Sequence, residues 1–241
     1  MSKKLKIIFT NTLGYPEEYS PKPSSKYVPE WYKDLDSYIG KEKRPNGDGK
    51  TTATIKRCMP VFDSINSGYI IVTPCDVWIR QVPVTEENPE ETQPFYEWSN
   101  FGVIQFHPTI QAPNHPHNTG HTGSFPKWIN SWAIKTPNGY STMFVQPWHR
   151  ESDFTILPGI VDTDKYMAPV NFPFVLNDIK FEGLIPAGTP IAQAIPFKRD
   201  SWEMEFGTEE DFIEQNKVAS FLKTKFFDSY KTLYRQNKEY K

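Results

Sequence analysis

Two aspartates, Asp162 and Asp164, are the residues whose types and spacing point most directly to chemistry. They are two positions apart, and in an extended hairpin alternate residues point to the same face, so both carboxylates would lie on one side. Such a pair suits a general base that activates water, or two ligands for a hydrated cation. Paired aspartates are also frequent in turns, where they hydrogen-bond to their own backbone. The residues alone leave both interpretations open.

Five histidines lie between residues 107 and 149 and form a second group. Three of them, His115, His117 and His121, stand in a stretch rich in proline, asparagine and glycine, where no lysine or arginine repels a cation. Neutral imidazole binds divalent metals readily, so this loop is a candidate metal site. Pro116 stiffens the run and no acidic ligand follows at a suitable distance. Histidines that are merely solvated are therefore the competing interpretation.

The composition indicates what kind of fold must position these residues. The chain has 241 residues, of which 15% are aromatic and 22 are proline. This length is enough for one large domain with appendages, and the aromatic side chains supply apolar area for a core. Frequent prolines with little helical periodicity favour a loop-rich, β-type protein. Cys58 and Cys75 follow no metal or redox spacing, so a disulfide framework is excluded and two buried thiols are expected.

The charge balance and the hydropathy limit the kinds of partner that the chain can bind. The 27 basic and 29 acidic side chains nearly balance, which leaves no basic footprint for duplex nucleic acid or for an anionic membrane. No apolar run approaches the roughly 18 residues that a spanning helix needs, and the first residues do not resemble a signal peptide. We therefore expect a cytoplasmic protein that is not secreted. No glycine-rich phosphate loop, nucleophile elbow or zinc-protease motif is present.

Short β-type runs recur through the middle of the chain, separated by proline, glycine and asparagine. The predicted strands are 5–10, 51–57, 69–73, 77–82, 101–106, 128–135, 141–146, 154–161, 171–176 and 191–197. Strands of this length, with no helical periodicity between them, predict a mainly β fold, an antiparallel barrel or sandwich. The expected domain division is an N-terminal strand and extended arm over 1–50, the β domain over 51–200 and a helical segment over 201–241.

The two ends of the chain have their own patterns. Four prolines between residues 16 and 29 argue against a regular element there and predict an extended arm. Near the other end, Thr208 followed by three acidic residues predicts a helix start, because its hydroxyl can cap free N–H groups. Beyond it an apolar stripe at helical spacing is expected to be buried against the β domain or another subunit. The stripe consists of Phe212, Ala219, Leu222, Phe226, Tyr230 and Leu233.

Two stretches of the sequence resemble known motifs. Gly159-Ile-Val-Asp162-Thr-Asp164-Lys-Tyr166 and Gly188-Thr-Pro-Ile-Ala-Gln193 are similar in order and spacing to two consecutive motifs of the trimeric dUTPase and dCTP deaminase superfamily. The resemblance covers residues 132–197. It implies a β-clip barrel that works as a homotrimer, with Asp162 as the residue that orients the attacking water. It also implies a set of ligand-binding residues, with magnesium if the ligand is a nucleotide. These are Arg150, Ser152, Asp164, Tyr166 and Gln193.

The chain departs from that superfamily in three places. Arg150 and Ser152 stand where the superfamily has its phosphate clamp, but their distance to Asp162 in the sequence is shorter than usual. Lys165 shifts the tyrosine by one position, and the glycine-rich tail that closes over the nucleotide is replaced by residues 201–206 and the acidic helix start. Longer blocks look like a family of uncharacterised proteins from bacteria and tailed phages, which has no activity to carry over. These blocks are 57–77, 136–147, 160–174 and 183–199. The spacing of His115, His117 and His121 separately resembles a cupin metal triad.

Three functions follow from these observations. The first is a non-catalytic, homo-oligomeric β-barrel protein of the phage type, either a virion or assembly component or a binder of a small ligand in a dUTPase-like cleft. Its partners would be further copies of itself, with a trimer favoured, and other phage proteins. The alternative is a nucleotide hydrolase or deaminase that uses Asp162. The third is a metal-dependent, cupin-like barrel enzyme that uses the loop histidines.

Overall fold

The computed structural model describes residues 5–40, 52–111, 113, 115, 124–224 and 229–241. Within these residues the chain is mainly β, with three α-helices. The strands are β1 Ile8–Asn11, β2 Lys22–Pro23, β3 Tyr69–Val72, β4 Val77–Pro83, β5 Thr92–Trp98, β6 Ile104–Pro108, β7 Ser124–Trp128, β8 Trp132–Lys135, β9 Tyr140–Val145, β10 Phe154–Ile156, β11 Gly159–Val161, β12 Phe172–Leu176, β13 Gly183–Ile185 and β14 Pro190–Lys198. The helices are α1 Glu30–Asp34, α2 Met59–Asn66 and α3 Glu209–Thr224.

The described strands form four sheets, and every pair in them is antiparallel. Their orders are β1-β8, β10-β12-β7-β6, β11-β9-β14-β3-β2 and β13-β4-β5. The prediction of a mainly β, antiparallel fold is confirmed. The hydrogen bonds of the described strands do not join these sheets into a ring, so the barrel is not closed. Each sheet consequently keeps two edges, which have to be covered, bent away or paired with something else.

The Cα packing divides the chain into two compact units. The first unit contains the segment up to Ser24 together with Gly68–Arg199, and the second contains Ser25–Ser67 together with Asp200–Lys241. All fourteen described strands belong to the first unit. The helices α1, α2 and α3 belong to the second. The expected domain bounds at residues 50 and 200 stay a prediction.

An aromatic core lies inside the first unit. Trp128 stacks on Phe174 with ring centroids 4.8 Å apart, and Phe154 meets Phe174 edge-on at 5.4 Å. These side chains come from β7, β12 and β10, which are neighbours in one sheet, and all three are almost completely buried. Rings of this size contribute large apolar areas, and offset or edge-on contacts add to the stabilisation. These rings therefore hold the strands of this sheet together, and Phe144 of β9 joins them to a second sheet through its contact with Phe172.

The second unit has a partly buried ion cluster of its own around α2. Arg235 Nη2 lies 2.7 Å from Asp63 Oδ1, and Lys238 Nζ lies 2.9 Å from Asp63 Oδ2. Burial alone would raise the pKa of Asp63, but its hydrogen bonds to Arg235 and Lys238 outweigh burial and hold the pKa below its ordinary value. The cluster ties the end of the chain to α2.

Two predicted elements are wrong for identifiable reasons. The predicted strand 51–57 is, where described, a 3₁₀ turn over Ile55–Arg57 that leads into α2. Pro60 lies in the first turn of α2, where a missing N–H is tolerated, so the proline begins a helix here instead of bounding a strand. The predicted arm also contains regular structure, because α1 begins directly after Pro29 and β2 pairs with β3.

The structure divides two of the predicted strands and contains others that the sequence does not predict. The predicted strand 128–135 is two strands, because the Asn130 side chain accepts the N–H of Trp132 and donates to its carbonyl. The predicted strand 154–161 also divides, into β10 and β11, around Pro158. Strands β5 and β13 were not predicted at all. Both cysteines are free, but only Cys75 is buried, whereas Cys58 is partly exposed.

The C-terminal helix begins where the sequence predicts. The Thr208 hydroxyl accepts the N–H of Asp211 at 3.3 Å, and the Asp211 carboxylate accepts the N–H of Thr208 at 2.7 Å, which is a reciprocal capping arrangement. Three large side chains of the apolar stripe are exposed, since Phe212 is 66%, Tyr230 is 42% and Leu233 is 56% exposed, and nothing is described of the Leu222 side chain. Phe226 lies outside the described residues. Among the described helices, none is long and apolar enough to cross a bilayer.

Candidate functional site

Three strand ends meet where the candidate site lies. Strand β9 has β11 on one side and β14 on the other, with Val161 opposite Thr142 and Phe197 opposite Ser141. The residues that follow β11 and β14 therefore emerge at the same end of the sheet, beside the first residues of β9. This register brings Asp162, Ser141 and Arg199 together.

The segment after β11 is a turn. The backbone N–H groups of Lys165 and Tyr166 both donate to the carbonyl oxygen of Asp162, at 2.9 Å and 2.8 Å. Asp162 and Asp164 do share a side, as the sequence predicts, but the alternation of an extended hairpin is not the cause. The turn folds both carboxylates towards Arg199.

Asp164 is held in a partly buried ion pair. Its side chain is 1% exposed, and Arg199 donates to both carboxylate oxygens, from Nη1 at 2.8 Å and from Nη2 at 2.6 Å. The N–H of Gly139 donates to Oδ2 at 2.8 Å. The hydrogen bonds from Arg199 are the largest cause that holds the pKa of Asp164 well below its ordinary value, and they outweigh burial. Asp164 is thus charged at neutral pH, and both of its carboxylate oxygens accept hydrogen bonds.

Asp162 is held less completely. Its Oδ1 accepts the Ser141 hydroxyl at 2.7 Å and lies 3.1 Å from Arg199 Nη1, while its side chain remains 61% exposed. The other oxygen, Oδ2, has no hydrogen-bond partner among the described residues. The arrangement fixes the orientation of the carboxylate and presents one oxygen to solvent.

Between the two aspartates, Thr163 anchors the turn in the core. Thr163 is 1% exposed, and its hydroxyl oxygen lies 2.8 Å from those of Thr136 and Thr142. Buried hydroxyls that satisfy one another make a rigid polar network. The turn is therefore fixed both by an ion pair on its outer side and by three threonines on its inner side.

The remaining predicted ligand residues make their contacts elsewhere. Gln193 is 1% exposed and accepts the N–H of Trp148 through Oε1 at 3.1 Å, so its side chain supports the fold. It lies opposite Val145, four residues along β14 from Phe197, which is about 13 Å in an extended strand. Ser152 accepts the N–H of Phe154 at 3.3 Å. Arg150 lies in the same loop and is partly exposed.

Tyr166 lies directly after the turn and is 52% exposed, so a ligand could reach its ring. The structure thus joins Asp162 and Asp164 through Arg199 and places Gln193 in the core. The roles proposed for Arg150, Ser152, Asp164, Tyr166 and Gln193 stay predictions.

Sequence reasoning missed Arg199, Ser141 and Gly139, which complete the site. One signal could have found Arg199: it follows directly on the strand that carries the second motif, and a neighbouring antiparallel strand carries Ser141. A basic residue at that strand end is a natural partner for aspartates at the end of the adjacent hairpin. The pairing itself depends on register, which the sequence does not specify.

The metal predictions remain untested. His115 lies in a loop and is partly buried, whereas His117 and His121 lie outside the described residues. No group of three or more histidine, cysteine or acidic side chains that could hold a metal ion occurs in the part of the chain that the structure describes. Asp164 would have to lose its Arg199 partner before it could bind a cation.

Comparison with known proteins identifies neither a family nor a curated relative of this chain. No protein-family model matches the chain. No curated protein matches it either. Among solved structures, the native EIAV dUTPase matches over 60% of this chain and 85% of its own, at 12% identity and a TM-score of 0.30. A similarity at that level determines neither the fold family nor the activity of this chain.

Proposed function

We propose that this chain is a non-catalytic, self-associating β protein with a dUTPase-like, β-clip architecture. Its role is that of a phage-type assembly component, and a small molecule is at most a bound ligand at the Asp162 turn. The resemblance of four sequence blocks to uncharacterised proteins of bacteria and tailed phages supports this assignment. Further copies of the chain are its first partners, with a trimer expected.

One observation carries the proposal: Arg199 bonds to both candidate carboxylates. A general base must be free to accept a proton from water, and a magnesium ligand must have an uncompensated oxygen. Asp164 has neither property, because both of its oxygens accept hydrogen bonds from a guanidinium group. Asp164 therefore stabilises the turn, and Asp162 has only one oxygen, Oδ2, available for any chemistry.

The alternative, a nucleotide hydrolase or deaminase, is favoured by a single feature. Asp162 keeps Oδ2 exposed, on a carboxylate whose orientation Ser141 and Arg199 fix. A water molecule activated by that oxygen is the chemistry that the resemblance implies. The metal-dependent enzyme would use His115, His117 and His121, and no contact of the described residues bears on it.

A turnover assay separates these functions. Purified protein is incubated with dUTP or dCTP and magnesium, and released pyrophosphate and ammonia are measured. We expect no turnover, and no difference between the wild type and Asp162→Asn. The matched control is Asp153→Asn, which changes an exposed aspartate in the loop before β10.

The opposite result would be hydrolysis or deamination that Asp162→Asn lowers by about a hundredfold or more, the usual size of a lost general base, while Asp153→Asn leaves it unchanged. That result would establish the enzyme and overturn the non-catalytic proposal.

A further inference from the structure

The segment that precedes α3 has the pattern of a strand but no neighbour. In residues 201–207 three apolar side chains alternate with two glutamates, the period-two pattern of a β-strand with one apolar face. Trp202, Met204 and Phe206 are 91%, 80% and 90% exposed. The segment belongs to no sheet of the described residues. We call residues 202–206 the tail strand.

Three large apolar side chains exposed in a row are costly in water and usually mark a surface of interaction. The backbone N–H groups of the tail strand also make no hydrogen bond to any described residue. Addition to the edge of a sheet would satisfy the backbone and cover one face at the same time. The tail strand therefore needs an edge with an apolar inner face.

Strand β1 offers such an edge. It pairs with β8 on one side, and no described strand pairs with its other side. Ile7 and Phe9 pack against the core of the first unit, so the inner face of this edge is apolar. Leu5, on the same side by the period of two, is 60% exposed and could be covered by an added strand.

The outer face of the same edge is basic. Lys6 and Ile8 share this face by their spacing, and Lys135 lies directly opposite Ile8 on β8. Neither lysine has an ion-pair partner among the described residues. If the apolar side of the tail strand continues the inner face, its glutamates fall on the side of these lysines.

The charges also disfavour pairing between two tail strands. Such a pair would bring Glu203 and Glu205 of one copy close to those of the other, and like charges across a sheet are destabilising. Neither glutamate has an ion-pair partner among the described residues. The acidic strand and the basic edge are complementary, and each lacks the partner that the other supplies.

We propose that the tail strand of one copy adds to the free edge of β1 in a second copy. The proposal rests on the self-association proposed above and names the surfaces that produce it. Such a contact joins two different surfaces, so repetition generates a ring or an open chain, and three copies in a ring give the expected trimer.

Charge reversal tests this pairing. One variant reverses the tail strand, Glu203→Lys with Glu205→Lys, and a second reverses the edge, Lys6→Glu with Lys135→Glu. Each should weaken self-association at least tenfold, measured by analytical ultracentrifugation over a range of concentrations. The control is Glu86→Lys with Glu87→Lys in the exposed β4–β5 loop, which makes the same change of net charge as the tail reversal and should leave association unchanged.

A variant that carries both reversals provides the decisive measurement, because its acidic edge again faces a basic tail strand. Association should recover to within about threefold of the wild type, which misfolding or net charge would not produce. Wild-type association in both single reversals, or no recovery in the combined variant, would overturn the proposal. So would a monomeric wild type at micromolar concentration.

The outcomes are separable from those of the function itself. Nucleotide turnover in a protein whose assembly follows the charge reversals would remove the non-catalytic function and leave the strand pairing in place. Absence of turnover in a protein whose assembly ignores the reversals would remove only the strand pairing.

Discussion

Arg199 and Trp202 are three positions apart in the sequence, yet their surroundings are opposite. Arg199 donates to Asp164, Asp162 lies within 3.1 Å of it, and Asp164 itself is 1% exposed. Trp202 is 91% exposed and contacts none of the described aromatic rings. Around Arg199 nearly every polar group has a hydrogen-bond partner. In the tail strand the backbone N–H groups and the two glutamates have no partner among the described residues, and the apolar side chains are exposed.

This difference shows where recognition can occur. A ligand that engaged Asp164 would have to replace hydrogen bonds to a guanidinium group, which are among the strongest in proteins. A partner that engages the tail strand replaces only water. Asp164, one of the residues that suggested chemistry in the sequence, therefore already stabilises its turn, and we propose that the tail strand makes the intermolecular contacts.

The largest loss of stability should come from removing the ion pair between Asp164 and Arg199. In Asp164→Asn, Arg199 exchanges two hydrogen bonds to a charged, 1% exposed carboxylate for weaker ones to a neutral amide and keeps Asp162 as its only charged partner among the described residues, so the first unit should be destabilised. We expect the Tm to fall by about 5 °C or more in differential scanning calorimetry. Asp153→Asn, on an exposed carboxylate, should leave the Tm unchanged. Equal values for the two variants would mean that the ion pair does not stabilise the turn.

The same ion pair predicts how stability depends on pH. The pKa of Asp164 is depressed in the folded protein, so its contribution is complete above the unfolded value of about 4 and is lost as pH falls through the folded pKa. The Tm difference between the wild type and Asp164→Asn should therefore stay constant from pH 7 to pH 5. It should narrow below pH 4. A difference that grew as the pH fell would contradict the assignment of a depressed pKa.

Parts of this arrangement could be predicted from the sequence. Alternating apolar residues and proline punctuation predicted the antiparallel strands, and Thr208 with its acidic neighbours predicted the start of α3. The capping residues act on their immediate neighbours, so local sequence suffices for them. The side shared by Asp162 and Asp164 was also predicted, although a turn produces it.

The partners of those aspartates could not be predicted, because they depend on register. Arg199 is 35 positions from Asp164 in the sequence and meets it only because β14 and β11 flank β9. A one-residue slip in either pairing would turn the same side chains to the other face. Strand β5 was missed for a related reason: Pro94 interrupts its pattern, yet β5 pairs with β4 over its whole length at the edge of a sheet, where proline is tolerated.

The smallest loss of stability should come from substitutions in the tail strand. In Trp202→Ser with Phe206→Ser, two exposed rings are removed that contact no described ring, so a dilute, dissociated chain loses almost no packing. We expect its Tm at nanomolar concentration to lie within about 1 °C of the wild type, since surface changes of this kind rarely exceed about 0.5 kcal/mol. At micromolar concentration the wild type should gain stability from assembly, and the variant should not. A Tm that falls equally at both concentrations would show that the rings already pack within one chain, and the contrast between Arg199 and Trp202 would then be lost.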